Sequence, residues 1–432
     1  MADDGSIRGS VSRTACRLHH VQQTVRAQNR IEARLGDRMC GPNLMNAKTP
    51  HILSLIPTSP EANDGAGGCC ALEPLRILTE MGVRTTEFSV LSLWRSMGTD
   101  RTAFTTNPHL VYFSLPGDLG LPTAGAFLFA RIIGKIRELH CREKEKIDLL
   151  HAHGSLPCGH AAMLVHRELR IPYVVSVYGA DESSLQKAVG RVGEWCRRIS
   201  HRVYAESSRV LCVNEDVREK VLERVGRSCR TSVVYRGVEP EVFVPPLEVA
   251  EPADRVLYIS DQNGSGGQDG LIRAIASLQK EFASISLDII GKGGHISRMR
   301  KLAHDLGVSD RLRFLRCQSR QQIADAMKSC TLFIVLSSSE DLECALLEAM
   351  CCGKTVIVCR RDGITEIIKH GINGFLINSE NEKQLELAIA MLLREPQRRT
   401  NLGHAARDTI LDRFTVKQQA ETLMRIYREC TN

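Results

Sequence analysis

The sequence predicts an α/β protein built from two Rossmann-like βαβ domains that face a cleft, and three observations lead to that reading. At 432 residues the chain is roughly two to three times an ordinary domain. Along most of it, short apolar runs alternate with segments of helical period, and the runs are near-continuous, as in parallel strands buried on both faces. An aperiodic stretch at 239–254, carrying four prolines, divides the alternation into two series.

The first series opens with HILSLIP (51–57), a strand ending in turn residues. Gly65, Gly67 and Gly68 form a glycine-rich turn, then Leu72, Leu75, Leu78 and Met81 set a helical period that Gly82 closes. TTEFSVLSL follows as a strand. KIDLLHAHG (146–154) reads as strand into turn, 160–169 as helix and PYVVSVYG (172–179) as strand. SSRVLCVN (207–214) and TSVVYRG (231–237) are strands around a helix at 215–226. No element is placed at 94–145 or 180–206. The second series runs through strands at 255–260, 284–291, 311–316, 331–337, 354–359 and 373–377. Its helices fall at 269–282, 295–306, 320–328, 343–352, 381–393 and 398–411, with a turn at GITEII. The expected plan is a disordered tail at 1–48, a first domain at 49–238, a linker at 239–254 and a second domain at 255–412. Ligands are expected at the carboxyl ends of the strands and in the cleft between the domains.

Composition narrows the function. Hydrophobic residues make up 43% and charged residues 25%, the balance of a soluble globular protein. The best apolar runs, such as TLFIVL at 331–336, are strand-sized, short of the ~18 residues of a membrane span. Of the net charge of +7, +4 lies in the first 50 residues, so the weakly basic body does not call for nucleic acid. The opening Ala2-Asp3-Asp4 argues against a secretory or transit peptide. The 16 cysteines are scattered without a C-x-x-C, many at apolar positions (Cys212, Cys330, Cys344, Cys359). They read as buried free thiols in a reducing cytoplasm.

Several short motifs fail on context. GKT at 353–355 lacks the P-loop glycine five residues earlier, where Glu348 stands, and it follows a helix. Asp261, Asn263, Ser265 and Gly266 begin a calcium loop whose twelfth position is Ile272 instead of Glu. His151, His153 and His160 lack the cysteine or carboxylate company of a metal site, and no metal is expected. Asn263-Gly264-Ser265 is a formal sequon without a role in a cytoplasmic chain. One constellation stands apart. Glu340 lies just past a strand and Glu348 eight residues later, in the second turn of the helix that follows. Two carboxylates would then share a cleft beside a helix N-terminus suited to phosphate. A pair of solvated helix-edge charges would give the same spacing.

The segment SSSEDLECALLEAMCCGKTVIVCRRDGITEIIKHGINGFLI, with LAIAMLL and AARDTI beyond it, resembles glycosyltransferase family 4. Glu340 and Glu348 fall on that family's E-x7-E pair. VVYRGVEPEVF (233–243) is similar to its interdomain N-G-V-D segment. HAHGSLPCGHAA, VVSVYGAD and Gly67-Gly68 carry the likeness into the first half, so that it spans roughly 50–432. The resemblance implies the GT-B fold, with 413–432 as a helix crossing back to the first domain. It implies a retaining transferase that takes a hexose from a nucleotide sugar to a glycan, lipid or small-molecule acceptor, with no cofactor and no metal. Glu348 would accept hydrogen bonds from the ribose hydroxyls, and Glu340 would contact the donor sugar. Asp181 would be the second catalytic carboxylate. Gly68 and the backbone at Glu343 would meet phosphate oxygens. The acceptor would lie near His153 and the loop Tyr178-Gly179-Ala180-Asp181. A weak membrane-surface contact through the first domain stays open.

The departures from that family fall on the diphosphate. The Arg and Lys that hold it are replaced by Asp261 and Gly266, the His of H-G-x-D is Tyr178, the Asn of N-G-V-D is Arg236, and Asp341-Leu342-Glu343 replaces Gly-Phe-Gly. Lys292, Arg360, Arg361 or Arg236 are the cations that could substitute, or the NGSGG loop could use its amides. The competing readings are a catalytically degenerate protein of the same fold with a binding or regulatory role, and a transferase with an unusual donor.

Overall fold

Among the described residues, thirteen strands, every pairing parallel, lie in two sheets. β1 (His51–Ile56), β2 (Arg84–Ser92), β3 (His109–Tyr112), β4 (Leu149–His153), β5 (Tyr173–Val177), β6 (Arg209–Cys212) and β7 (Thr231–Val233) form the first. Their order is β3-β2-β1-β4-β5-β6-β7. β8 (Arg255–Ile259), β9 (Ser286–Ile290), β10 (Leu312–Leu315), β11 (Leu332–Val335), β12 (Thr355–Cys359) and β13 (Phe375–Ile377) form the second, ordered β10-β9-β8-β11-β12-β13. The computed structural model describes residues 49–57, 72–92, 109–112, 134, 136–138, 140–141, 146–179, 182, 185, 189–246, 254–260, 267–291, 295–316, 319–336, 341–361, 363–378 and 381–431. The tail 1–48 lies outside them. Pro50–Asn432 forms one unit holding both sheets.

The apolar runs explain the layering. β1, β4, β5 and β12 bury every residue, so helices must cover both faces. The covering helices are α1 (Leu72–Glu80), α2 (His160–Leu169), α3 (Gly190–Glu206) and α4 (Glu215–Val225) on the first sheet. On the second they are α5 (Gln268–Leu278), α6 (His295–Asp305), α7 (Arg320–Ser329), α8 (Asp341–Cys351), α9 (Ile364–Ile367), α10 (Glu382–Arg394) and α11 (Pro396–Arg413). In each sheet the strand order reverses once, between β1 and β4 and between β8 and β11. These are the switch points where open α/β sheets leave a crevice at the carboxyl ends.

Three elements differ from the sequence expectation. α3 forms where none was expected: its arginines and two glycines look loop-like, yet Cys196, Ser200, Val203 and Tyr204 are a buried stripe at helical spacing. β3 is an edge strand of only four residues. GITEII holds a single helical turn, α9, rather than a plain turn.

The two halves are tied at the back. α12 (Val416–Thr431) leaves the second half and packs Ala420, Leu423, Ile426 and Tyr427 against Ile52, Leu75, Leu78 and Leu149 of the first. Where it begins, Val238 and Thr415 form a bridge, with Val238 N donating to Phe414 O (2.9 Å) and Val416 N to Val238 O (3.0 Å). Glu366 of α9 accepts from the backbone amides of Glu215 and Asp216 at the start of α4, and from Tyr235 Oη. A carboxylate from one half thus satisfies orphan amides at a helix N-terminus of the other.

Seven cysteines are buried among the described residues, namely Cys158, Cys196, Cys212, Cys330, Cys351, Cys352 and Cys359. Burial pushes the Cys212 thiol up to about 12 and Cys351 up to about 11, so they stay protonated core residues. Cys344 is only half-buried. Lys354 of the GKT run is buried and donates to the carbonyls of Lys328 (2.7 Å) and Cys330 (3.0 Å), which assigns it to helix–strand packing.

Candidate functional site

Four of the site residues expected from sequence fall in the described structure: Glu348, Glu343, His153 and Tyr178. Glu340, Asp181, Gly68 and Lys292 lie outside the described residues, as do Asp261 and Gly266.

β4 ends on His153, so parallel pairing with β5 places it beside Ser176, next to Val177 and Tyr178 at the carboxyl edge of the sheet. His153 Nδ1 and Tyr178 Oη are 2.8 Å apart, and the rings stack. His151, two residues back on the strand, has both nitrogens engaged: Nδ1 with Tyr427 Oη (2.6 Å) of α12, and Nε2 with Ser176 Oγ (2.8 Å). That engagement takes His151 out of the H-x-H pattern as a metal ligand. His153 Nε2, by contrast, is buried and meets no protein partner. His151, His153, Ser176, Tyr178 and Arg236 line a small cavity of about 20 Å³, room for one water or one hydroxyl. Arg236 lies over the Tyr178 ring, 5.1 Å from its centroid. Its Nη1 donates to Cys344 Sγ (2.9 Å) in the first turn of α8. One guanidinium therefore joins Tyr178 of the first half to the helix start of the second.

Burial lowers the His153 pKa to about 4 and also depresses His151, where the neighbouring His153 adds to the effect. Both rings are therefore neutral at physiological pH. The unfolded chain takes up the His153 proton near the ordinary value of 6.5, the folded chain only near 4. Acidification through that window therefore favours unfolding. His153→Asn is expected to reduce the stability lost between pH 7 and pH 5 by about 2 kcal/mol. Denaturant unfolding at the two pH values measures it, and equal losses in both proteins would refute the assignment.

α8 follows β11 and carries Glu343 in its first turn, buried, and Glu348 one and a half turns on. Glu348 does not stand alone. Its Oε1 is 3.5 Å from Arg320 Nη2, at the start of α7. Arg320 Nη1 also reaches Glu73 at the start of α1 and Glu239 Oε2 (2.9 Å) in the connecting segment. The Phe243 ring lies 5.3 Å from the guanidinium. Arg76 makes a second contact to Glu239. Three carboxylates drawn from both halves and the connector thus meet two arginines. Burial raises Glu348 well above its usual range, the nearby Cys344 adds to this, and Arg320 opposes it. Glu73 is pushed up to about 7, again mainly by burial and against Arg320. Nothing in the local pattern of sequence marks Arg320, Glu73 or Glu239, whose contacts join distant segments.

A larger polar cavity lies at the ends of β11, β12 and β13. Within it Arg273 pairs with Glu382 and Arg298 with Asp269.

Residues 76–242 match the family model described as Glycosyltransferase Family 4, and residues 244–409 that described as Glycosyl transferases group 1. The two abut near the segment that joins the sheets. Among curated proteins, the D-inositol 3-phosphate glycosyltransferase of Nocardiopsis dassonvillei is 27% identical over 336 residues, 73% of this chain and 78% of that one. The N-acetyl-alpha-D-glucosaminyl L-malate synthase of Bacillus anthracis is 24% identical over 342 residues, 74% and 82% of the two chains. Among solved structures, Anabaena HepE with UDP and glucose superposes with a TM-score of 0.67 at 20% identity, covering 88% of this chain and 100% of that one. The sucrose-phosphate synthase of Thermosynechococcus elongatus does so with 0.66 at 18%, covering 88% and 99%.

Proposed function

The chain belongs to glycosyltransferase family 4, with the GT-B fold, and on that premise we propose that it moves a hexose from a nucleotide sugar to a glycan, lipid or small-molecule acceptor with retention of configuration. The observation that carries the proposal is the Glu348 carboxylate, half-buried on the helix that leaves β11. It accepts the two ribose hydroxyls of the donor. Glu340, eight residues earlier, faces the sugar. The amides that open α8 near Glu343, and those of Gly68, receive the charge of the departing diphosphate, with Lys292 a further cation for it. As the C–O bond to the diphosphate breaks, an oxocarbenium-like carbon forms, and the acceptor hydroxyl attacks from the same face, its proton passing to the departing phosphate oxygen. Asp181 and the His153–Tyr178 pair hold that hydroxyl, the open Nε2 of His153 being the group that reaches it. No metal or cofactor takes part, and the reaction is cytoplasmic.

Calorimetric titration with uridine, guanosine and adenosine diphosphates and their sugars is the test. Binding of none of them would sink the nucleotide-donor reading. Proton NMR of the product would show the anomeric configuration, and an inverted linkage would overturn the retaining course. A second reading, a binding protein of the same fold without turnover, is favoured by the Arg320 pairing of Glu348 and by Asp261 and Gly266 at the diphosphate positions. It predicts nucleotide binding with no release of diphosphate from any donor.

A further inference from the structure

We propose that Arg320 is a positioning residue for the donor, holding the Glu348 carboxylate ready for the ribose while tying it across the cleft to Glu73. The proposal rests on the ribose reading of Glu348 given above. It begins from charge and place. Glu348 sits in a largely buried position, its side chain 15% exposed, with Glu73 and Glu239 also facing the same guanidinium. Without Arg320, no described cation lies within ion-pair distance of Glu348. Arg320 is itself held: Ser319 caps its helix, accepting from Gln322 N, Phe243 lies under the guanidinium, and the carboxylates of Glu73 and Glu239 take one edge of the fork. The other edge is left for Glu348 at 3.5 Å, longer than a tight ion pair. Glu348 is thereby oriented while keeping acceptor capacity for hydroxyl donors. Glu73, in the first turn of α1, brings the first half into the same network. Glu348 and the start of α1 are thus coupled through one side chain.

The charge balance adds a signature. Glu348 faces Cys344 on its own helix, Arg320 on α7 and Glu73 on α1, while Glu73 faces Arg320, Glu239 and Arg76. Arg320 is the group that lowers the Glu348 pKa against burial and its acidic neighbours. A protonated carboxyl cannot accept from both ribose hydroxyls with the strength of the anion. Removing Arg320 raises the Glu348 pKa further, so the loss of affinity should be larger at low pH and shrink as pH rises.

Uridine, guanosine and adenosine diphosphates are titrated calorimetrically into the full chain and into Arg320→Gln, Arg320→Lys and Glu348→Gln, at pH 6 to 9. For whichever nucleotide binds, Arg320→Gln should weaken affinity at least tenfold at pH 7, with the loss shrinking toward pH 9. Arg320→Lys should restore part of it. A weak Glu348→Gln beside an Arg320→Gln of wild-type affinity overturns this inference and leaves the ribose reading standing. Glu348→Gln binding like the wild type, or no nucleotide binding at all, overturns the ribose reading and this inference with it. An Arg320→Gln defect that is the same at every pH, with a lowered melting temperature, assigns Arg320 to folding and also overturns it.

Discussion

Glu348→Ala is expected to weaken nucleoside-diphosphate binding about a hundredfold while leaving the fold intact. The binding loss follows from the acceptor removed. Hydrogen bonds to a charged partner contribute about 1.5–3 kcal/mol each, and losing a ribose diol from one carboxylate therefore costs about 3 kcal/mol. Glu348 is a buried carboxylate whose pKa is raised by its surroundings, so the folded state carries an electrostatic cost for it. Deleting one partner of a buried pair is damaging when it strands the other charge. Here Arg320 keeps Glu73 and Glu239, so no charge is stranded. The melting temperature should therefore stay within a few degrees or rise. Calorimetry and thermal unfolding of the same sample decide it. Wild-type affinity would remove Glu348 from the donor site; a collapse in melting temperature with affinity lost would make its role structural.

The parts of the molecule that could be read in the sequence are those governed by local pattern. β1, β4, β5 and β12 are apolar at every position because helices cover both faces, and such runs announce themselves. α2 was legible to the residue, since HAAMLVHREL carries its apolar positions at helical spacing and buries Ala161, Ala162, Met163 and Val165. α3 was not, because its apolar stripe uses Cys196 and Ser200 among arginines, and only packing against the first sheet shows which face is inside. The site divides in the same way. His153 stands at the end of a strand and Glu348 inside a helix, and the positions of both elements follow from periodicity. The Arg320 network does not, because Arg320, Glu73, Glu239 and Glu348 come from four segments that share no local pattern and meet only when both sheets are in place. Arg236 occupied an intermediate position: sequence offered it among several cations, and the structure connects it to Tyr178 and to the start of α8.

Gly237→Ala should be strongly destabilising, and the reason lies in how the two halves are joined. Gly237 sits between Arg236, which reaches the cleft, and Val238, which bridges to Thr415 at the start of the crossing helix. A Cβ at position 237 would lie 2.5 Å from the Thr415 carbonyl carbon and press on the backbone of Val416. These are main-chain atoms in a bridge with two hydrogen bonds, so no rotamer change relieves the contact. Gly237 N also donates to Gln419 Oε1 (2.9 Å), fixing the first turn of α12 against the same strand of backbone. Overpacking of this kind costs about 3 kcal/mol, at the upper end of the usual range, because the obstacle is backbone. Either α12 lifts from the first sheet, or the connector shifts and takes Arg236 and Glu239 out of place. In the first case Tyr427 leaves His151, and Leu423 and Ile426 leave the first half's core. Hydrogen exchange would then rise along 416–431 and in β1 and β4 together. In the second, exchange stays protected there while nucleotide affinity falls. A Gly237→Ala protein with wild-type melting temperature and wild-type affinity would mean that the connector is not fixed against α12 as the structure places it.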